Sequence, residues 1–180
     1  MIYHSLAEIY ATLDETRRDL RESVAPLGDA QQNYRPTPEA WSIAEIVEHL
    51  AIIENRVTKL IGMVVAKAEQ ESVAAAADFR AVSLARFAPR AAGKLTAPDA
   101  VRPQGGVSIA QSLARMDETR AAIGALRTRL GAVDVSEFSY PHPIFGPLNA
   151  YEWLATLAVH ERRHLKQIEA IVAAPDFPRE

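Results

Sequence analysis

Leucines stand at positions 6, 13, 20 and 27, one every seven residues, with Ile9, Tyr10 and Val24 filling the same side. A seven-residue apolar repeat is two turns of α-helix, so the stretch from His4 to Leu27 reads as an amphipathic helix carrying a bundle-type stripe. The opposite face is charged through Asp14, Arg18, Asp19 and Arg21, and Gly28 is placed to end the helix. Such a stripe is stable only when other helices cover it. The rest of the chain therefore has to supply them.

Three further segments do so. Pro36 and Pro38 break the chain between Asn33 and Trp41, and Ser42-Ile-Ala-Glu45 then has the spacing of a capping box, which starts a second helix at Ile43. Its apolar positions, Ile43, Ile46, Val47, Leu50, Ile53, Val57, Leu60, Ile61 and Val64, keep helical spacing throughout. Ser108-Ile-Ala-Gln111 opens a third helix in the same way, with Ile109, Leu113, Met116, Ile123, Leu126 and Leu130 inside and Gly131 as its stop. Asn149, followed by Glu152 at the third helical position, caps a fourth whose inward face is Trp153, Leu154, Leu157, Leu165, Ile168, Ile171 and Val172.

Between the second and third helices the pattern decays. Ala74 to Ala77 and Ala91-Ala92 suit a short helix, but Pro89, Gly93, Pro98, Pro103, Gly105 and Gly106 punctuate the stretch. A connection of that length predicts a crossover joining two helices that run the same way. The Pro-rich and aromatic stretch from Phe138 to Leu148 is expected to be an ordered loop. With 180 residues, the whole of 1–180 is expected to form one all-α domain around a single core.

Composition closes off several functions. The chain has no cysteine, which removes disulfides, thiolate nucleophiles and cysteine-held zinc together. A net charge of -3 offers no footprint for a nucleic-acid backbone. No run approaches the ~18 consecutive apolar residues of a membrane span, and Met1 to Glu8 shows no basic region followed by an apolar stretch. The expectation is a cytoplasmic protein with no nucleic-acid or membrane partner.

What chemistry remains lies in His160-Glu161-Arg162-Arg163-His164. Histidines four apart on a helix sit on one face about one turn from each other, a two-point clamp for a metal. The string matches the H-E-x-x-H pattern of metalloproteases. Those enzymes take a third ligand well downstream, whereas no histidine follows His164, and no strand is evident that could align a peptide. The third ligand is instead sought upstream at His49, on the flank of the second helix's buried face; alone, that residue would read as a boundary histidine with a hydrogen-bond partner. His49, His160 and His164 together make a neutral facial set, suited to Zn²⁺, Ni²⁺ or Fe²⁺, with positions left open for water or substrate. Glu161 stands near the middle of the apolar stripe, where a carboxylate is costly unless paired. It is a candidate catalytic residue, and with Gln167 and Glu48 a candidate to orient an imidazole or take a proton. His142, between two prolines, and His4, at the terminus, are weaker candidates.

Three pieces in order, Trp41-Ser42-Ile-Ala-Glu45-Ile-Val-Glu-His49-Leu50, His142-Pro143-Ile-Phe-Gly146-Pro-Leu148 and His160-Glu-Arg-Arg-His164-Leu-Lys-Gln167-Ile168, resemble the DinB-like superfamily. More narrowly they are similar to the branch with bacillithiol S-transferases and the metal-binding half of mycothiol-dependent maleylpyruvate isomerases. The resemblance covers almost the whole chain. It implies a four-helix bundle of up-down-down-up topology, a divalent metal at His49, His160 and His164, and homodimers. Relatives with known chemistry transfer a low-molecular-weight thiol to an electrophile or isomerise with a thiol cofactor. The expected function is a metal-dependent transferase or hydrolase that activates a thiol or water against a small-molecule electrophile. The alternative is a non-catalytic metal-binding or dimerisation module.

Overall fold

The computed structural model describes residues 1–85 and 96–179. Four long helices dominate: α1 (Leu6–Val24), then, after the short α2 (Asp29–Asn33), α3 (Ile43–Gln70), α4 (Ile109–Ala132) and α5 (Ala150–Val172). Among the described residues two strand pairs accompany them. β1 (Ile2–Tyr3) runs antiparallel to β2 (Val82–Ser83), and β3 (Ser139–His142) to β4 (Gly146–Asn149). Among the described residues no helix is long and apolar enough to cross a membrane.

The helix starts follow from local chemistry. Ser42 Oγ accepts from Glu45 N at 3.3 Å while the Glu45 carboxylate accepts from Ser42 N at 2.8 Å, closing both halves of the box where α3 begins. Asn149 and Glu152 do the same for α5, and Ser108 and Gln111 for α4. The stops differ slightly from expectation. α1 ends at Val24 rather than Leu27, because Pro26 has no N–H to continue the ladder. α4 runs one residue past Gly131, to Ala132.

Cross-helix bonds fix the directions. Tyr10 Oη donates to the Ile123 carbonyl and Arg21 pairs with Asp117, so α1 and α4 run antiparallel. Glu54 and Glu69 on α3 meet Arg120 and Arg129 on α4 in the same order, so those two run parallel. Arg120 reaches Glu161, and Tyr151 Oη donates to the carbonyl of Leu130, so α5 opposes α4. The result is an up-down-down-up bundle with its long crossover between α3 and α4.

That crossover is not a plain loop. Val82–Ser83 ties it to the N-terminus, a 3-10 turn covers Asp99–Val101, and the carboxylate of Glu48 accepts from the N–H groups of Gln104 and Gly105. Ala74 to Ala77, expected to suit a helix, are irregular, since α3 ends at Gln70 and Ser72 turns the chain with φ 54. Ala91-Ala92 lie outside the described residues. The stretch from Phe138 to Leu148 is a hairpin rather than a loop. Pro141 pairs with Pro147, which puts both missing N–H groups on one rung, and Gly146 at φ 81 takes the left-handed conformation that the reversal needs.

The core is split. One apolar cluster gathers Ile9, Leu13, Ile61, Ile123 and Leu154 among others, and a second gathers Leu20, Ile46, Val47, Met116 and Ile168. The polar side chains of Thr16 and Arg17 on α1, Glu54 on α3, Arg120 on α4 and Glu161 on α5 stand between them in sequence and join all four helices.

Candidate metal centre

α3 and α5 pack so that His49 meets His160 and His164. The Nε2 atoms of His49 and His160 are 3.3 Å apart, and those of His160 and His164 are 3.1 Å apart. One ligand atom from each ring lies within 4.8 Å of the others. His49 and His164 are buried, at 3% and 8% exposure, while His160 is half-buried.

Two of the rings have their orientation set from behind. His49 Nδ1 donates to the carbonyl of Val101, at the end of the 3-10 turn, at 2.7 Å. His164 Nδ1 donates to Gln167 Oε1 at 2.9 Å. A carbonyl can only accept, so the Nδ1 of His49 keeps the proton and its Nε2 lone pair is turned to the other rings. Trp41 lies against the His49 ring with centroids 4.9 Å apart.

The electrostatics hold these rings neutral. Burial lowers the pKa of all three. His164 falls to about 4, by burial and then by His49, against the opposing bond from Gln167. His160 falls well below the usual value through burial and then through His164 and His49, and His49 is lowered despite its bond to Val101. Neutral imidazoles with converging lone pairs need a proton or a cation between them.

A divalent cation fits that donor set. Ligand nitrogens at about 2.1 Å from a tetrahedral or octahedral ion are about 3.0–3.4 Å from each other, which spans the two Nε2 separations observed. Nitrogen donors without thiolate suit Zn²⁺, Ni²⁺ or Fe²⁺ better than Mg²⁺ or Ca²⁺.

The remaining sequence candidates are placed as follows. Gln167 orients His164, whereas Glu48 holds the crossover backbone and touches no histidine through its carboxylate. Glu161 is buried beside His160, but its oxygens accept from Arg17 Nε at 2.8 Å and Thr16 Oγ1 at 3.0 Å. His142 stacks on Phe145 and lies tilted against Trp153, and its Nδ1 accepts from the N–H groups of Ile144 and Phe145, which shapes the hairpin turn. His4 is exposed at the other end of the chain.

Sequence reading missed Arg17, Glu54 and Arg120. A signal was present: Arg17 stands in the stripe Leu13, Leu20, Val24, and Glu54 in Val47, Leu50, Val57, Ile61, each a charge where helical spacing calls for an apolar side chain. The Val101 carbonyl is backbone, and no residue type announces it.

Known proteins match this chain along most of its length. A family model described as the DinB superfamily matches residues 12–168. An uncharacterized protein of Bacillus subtilis (strain 168), YuaE, is 27% identical over 159 residues, covering 88% of this chain and 93% of its own. The crystal structure of TT2238, a four-helix bundle protein, aligns with a TM-score of 0.62 at 22% identity, over 92% of this chain and 99% of the other. That likeness is one of fold.

Proposed function

Because the chain belongs to the DinB superfamily, we propose that His49, His160 and His164 hold a divalent cation and that the protein is a metal-dependent transferase or hydrolase. The substrate is a small electrophilic molecule, and the nucleophile is a low-molecular-weight thiol or water. One observation carries this reading: three imidazoles from two helices turn their Nε2 atoms to a common point, two of them with the far nitrogen already hydrogen-bonded. Zn²⁺, Ni²⁺ or Fe²⁺ bound there by neutral ligands keeps its full charge and lowers the pKa of a thiol or water at an open position.

The chain's own residues have separate tasks. Val101 and Gln167 set the aim of His49 and His164. Burial excludes protons from the ligand nitrogens at neutral pH. Glu161 serves as a positioning residue and not as a free base, since Arg17 and Thr16 occupy its carboxylate. The half-buried His160 marks the side from which substrate arrives. The cytoplasm and a homodimer complete the proposal, the latter on the resemblance alone; light scattering of the purified protein measures its mass.

A second reading has an observation in its favour. The three ligands come from α3 and α5, with the crossover behind them, so a metal here would also staple the bundle. In that case the protein is a non-catalytic module. The test begins with metal analysis of the purified chain and of His49→Ala. One equivalent of metal in the wild type, falling by more than tenfold in affinity in the variant, is expected; equal metal content in both would falsify the ligand set. A screen of thiols and electrophiles with and without chelator then separates the readings. Co²⁺ with exchangeable water positions favours the enzyme, and closed four-coordinate Co²⁺ with no turnover favours the module.

A further inference from the structure

The polar layer and the histidine site meet at one cavity. Its volume is about 10 Å³, and its polar walls are His160, Arg17, Glu54 and Glu161, with Leu50 and Met116 among the apolar ones. That is about the room one water needs, and too little for a carboxylate or phosphate group. Two of the polar walls have an unused side-chain nitrogen. Arg17, with its side chain only 8% exposed, gives Nε to Glu161 and Nη2 to Glu54, yet its buried Nη1 has no hydrogen-bond partner. The hydrogen bonds of His160 to described residues both run through Nε2.

His160 thus differs from its two companions, whose Nδ1 atoms each have an acceptor. An imidazole that gives Nε2 to a cation keeps its proton on Nδ1, and metal-bound histidines almost always donate that proton to a carboxylate, a carbonyl or a water. We propose, building on the three-histidine reading, that one ordered water fills this cavity and supplies that partner. It accepts from Arg17 Nη1–H and His160 Nδ1–H and donates to the carboxylates of Glu54 and Glu161. All four of its hydrogen-bonding positions are then used, and one of the two orphaned arginine protons is satisfied. The charged layer becomes the support of the third ligand, and Arg17 a positioning residue that acts on His160 through water.

The test uses the full chain and Arg17→Lys, which keeps the positive charge and loses Nη1. A high-resolution crystal structure of the metal-free wild type is expected to show a water in the cavity; a dry cavity overturns the proposal whether or not the protein binds metal. With Zn²⁺, the Nδ1 proton of His160 is expected to show a cross-peak to water by NMR that is lost in Arg17→Lys, a signature that a purely structural arginine would not produce. The variant should bind Zn²⁺ at unchanged stoichiometry with Kd raised about 10- to 100-fold. A wild-type Kd in a folded Arg17→Lys overturns the proposal, and if that variant does not fold, the wild-type water and its cross-peak decide. Should Zn²⁺ bind equally to wild type and His49→Ala, the metal reading fails by itself and the crystallographic water still settles this one.

Discussion

His49 serves two partners with one ring: its Nδ1 holds the crossover at Val101 and its Nε2 faces His160. Such residues make the fold sensitive to acid. In an unfolded chain an imidazole titrates near 6.5, whereas His164 and His142 are pushed by burial to about 4 and His49 and His160 are lowered too. Between those values the unfolded chain binds protons that the folded chain refuses. The contribution of these histidines is therefore fully present above about 6.5 and is lost progressively as the pH falls, for His164 and His142 down to about 4. For His164 the loss is on the order of 3 kcal/mol. Urea midpoints of the metal-free protein between pH 7.5 and pH 4 should fall accordingly, and a flat profile would contradict the burial argument. Of these residues the three at the site were legible in the sequence, because two lie one turn apart and the third is a polar residue on the edge of an apolar stripe.

At the scale of elements, the caps carry the most direct prediction. Ser42 is 3% exposed and accepts from Glu45 N, so Ser42→Ala removes one half of the box at the start of α3. A loss of about 1 kcal/mol is expected, read as a lower urea midpoint at unchanged slope; no change would mean that the Glu45 half, braced by Arg35 at 2.5 Å, suffices. The four long helices were readable because the apolar period holds in each, and the starts of α3, α4 and α5 because a cap agrees with it; α1 begins at Leu6 behind Ser5, two residues past His4. The hairpin was not readable. Its two prolines argue against a strand until their pairing with each other is known, and pairing is a property of two segments rather than one. The strands β1 and β2 have two residues each, too few for any alternation to show.

For the whole molecule, the charged layer between the two apolar clusters is the distinguishing feature. Arg17 and Arg120 each face both Glu54 and Glu161, so every helix of the bundle contributes to one balanced quartet. Removing one member strands a buried charge, and Glu54→Leu is expected to cost about 3–5 kcal/mol. Replacing all four together, with Met for the arginines and Leu for the glutamates, should restore most of that loss in the same denaturation experiment. If the single and the fourfold variants are equally unstable, the cost comes from packing and not from charge. A sequence read one helix at a time shows the odd charge in a stripe, as Glu161 did, but not the opposite charges it will meet on two other helices.

The bond from Val101 to His49 reaches beyond the site. The peptide that aims this ring belongs to neither helix that supplies the imidazoles, but to the long link between α3 and α4. A nick beside the Val101 turn is expected to leave the four rods standing while one ring swivels off target, so this short piece of backbone is the site's steering cable.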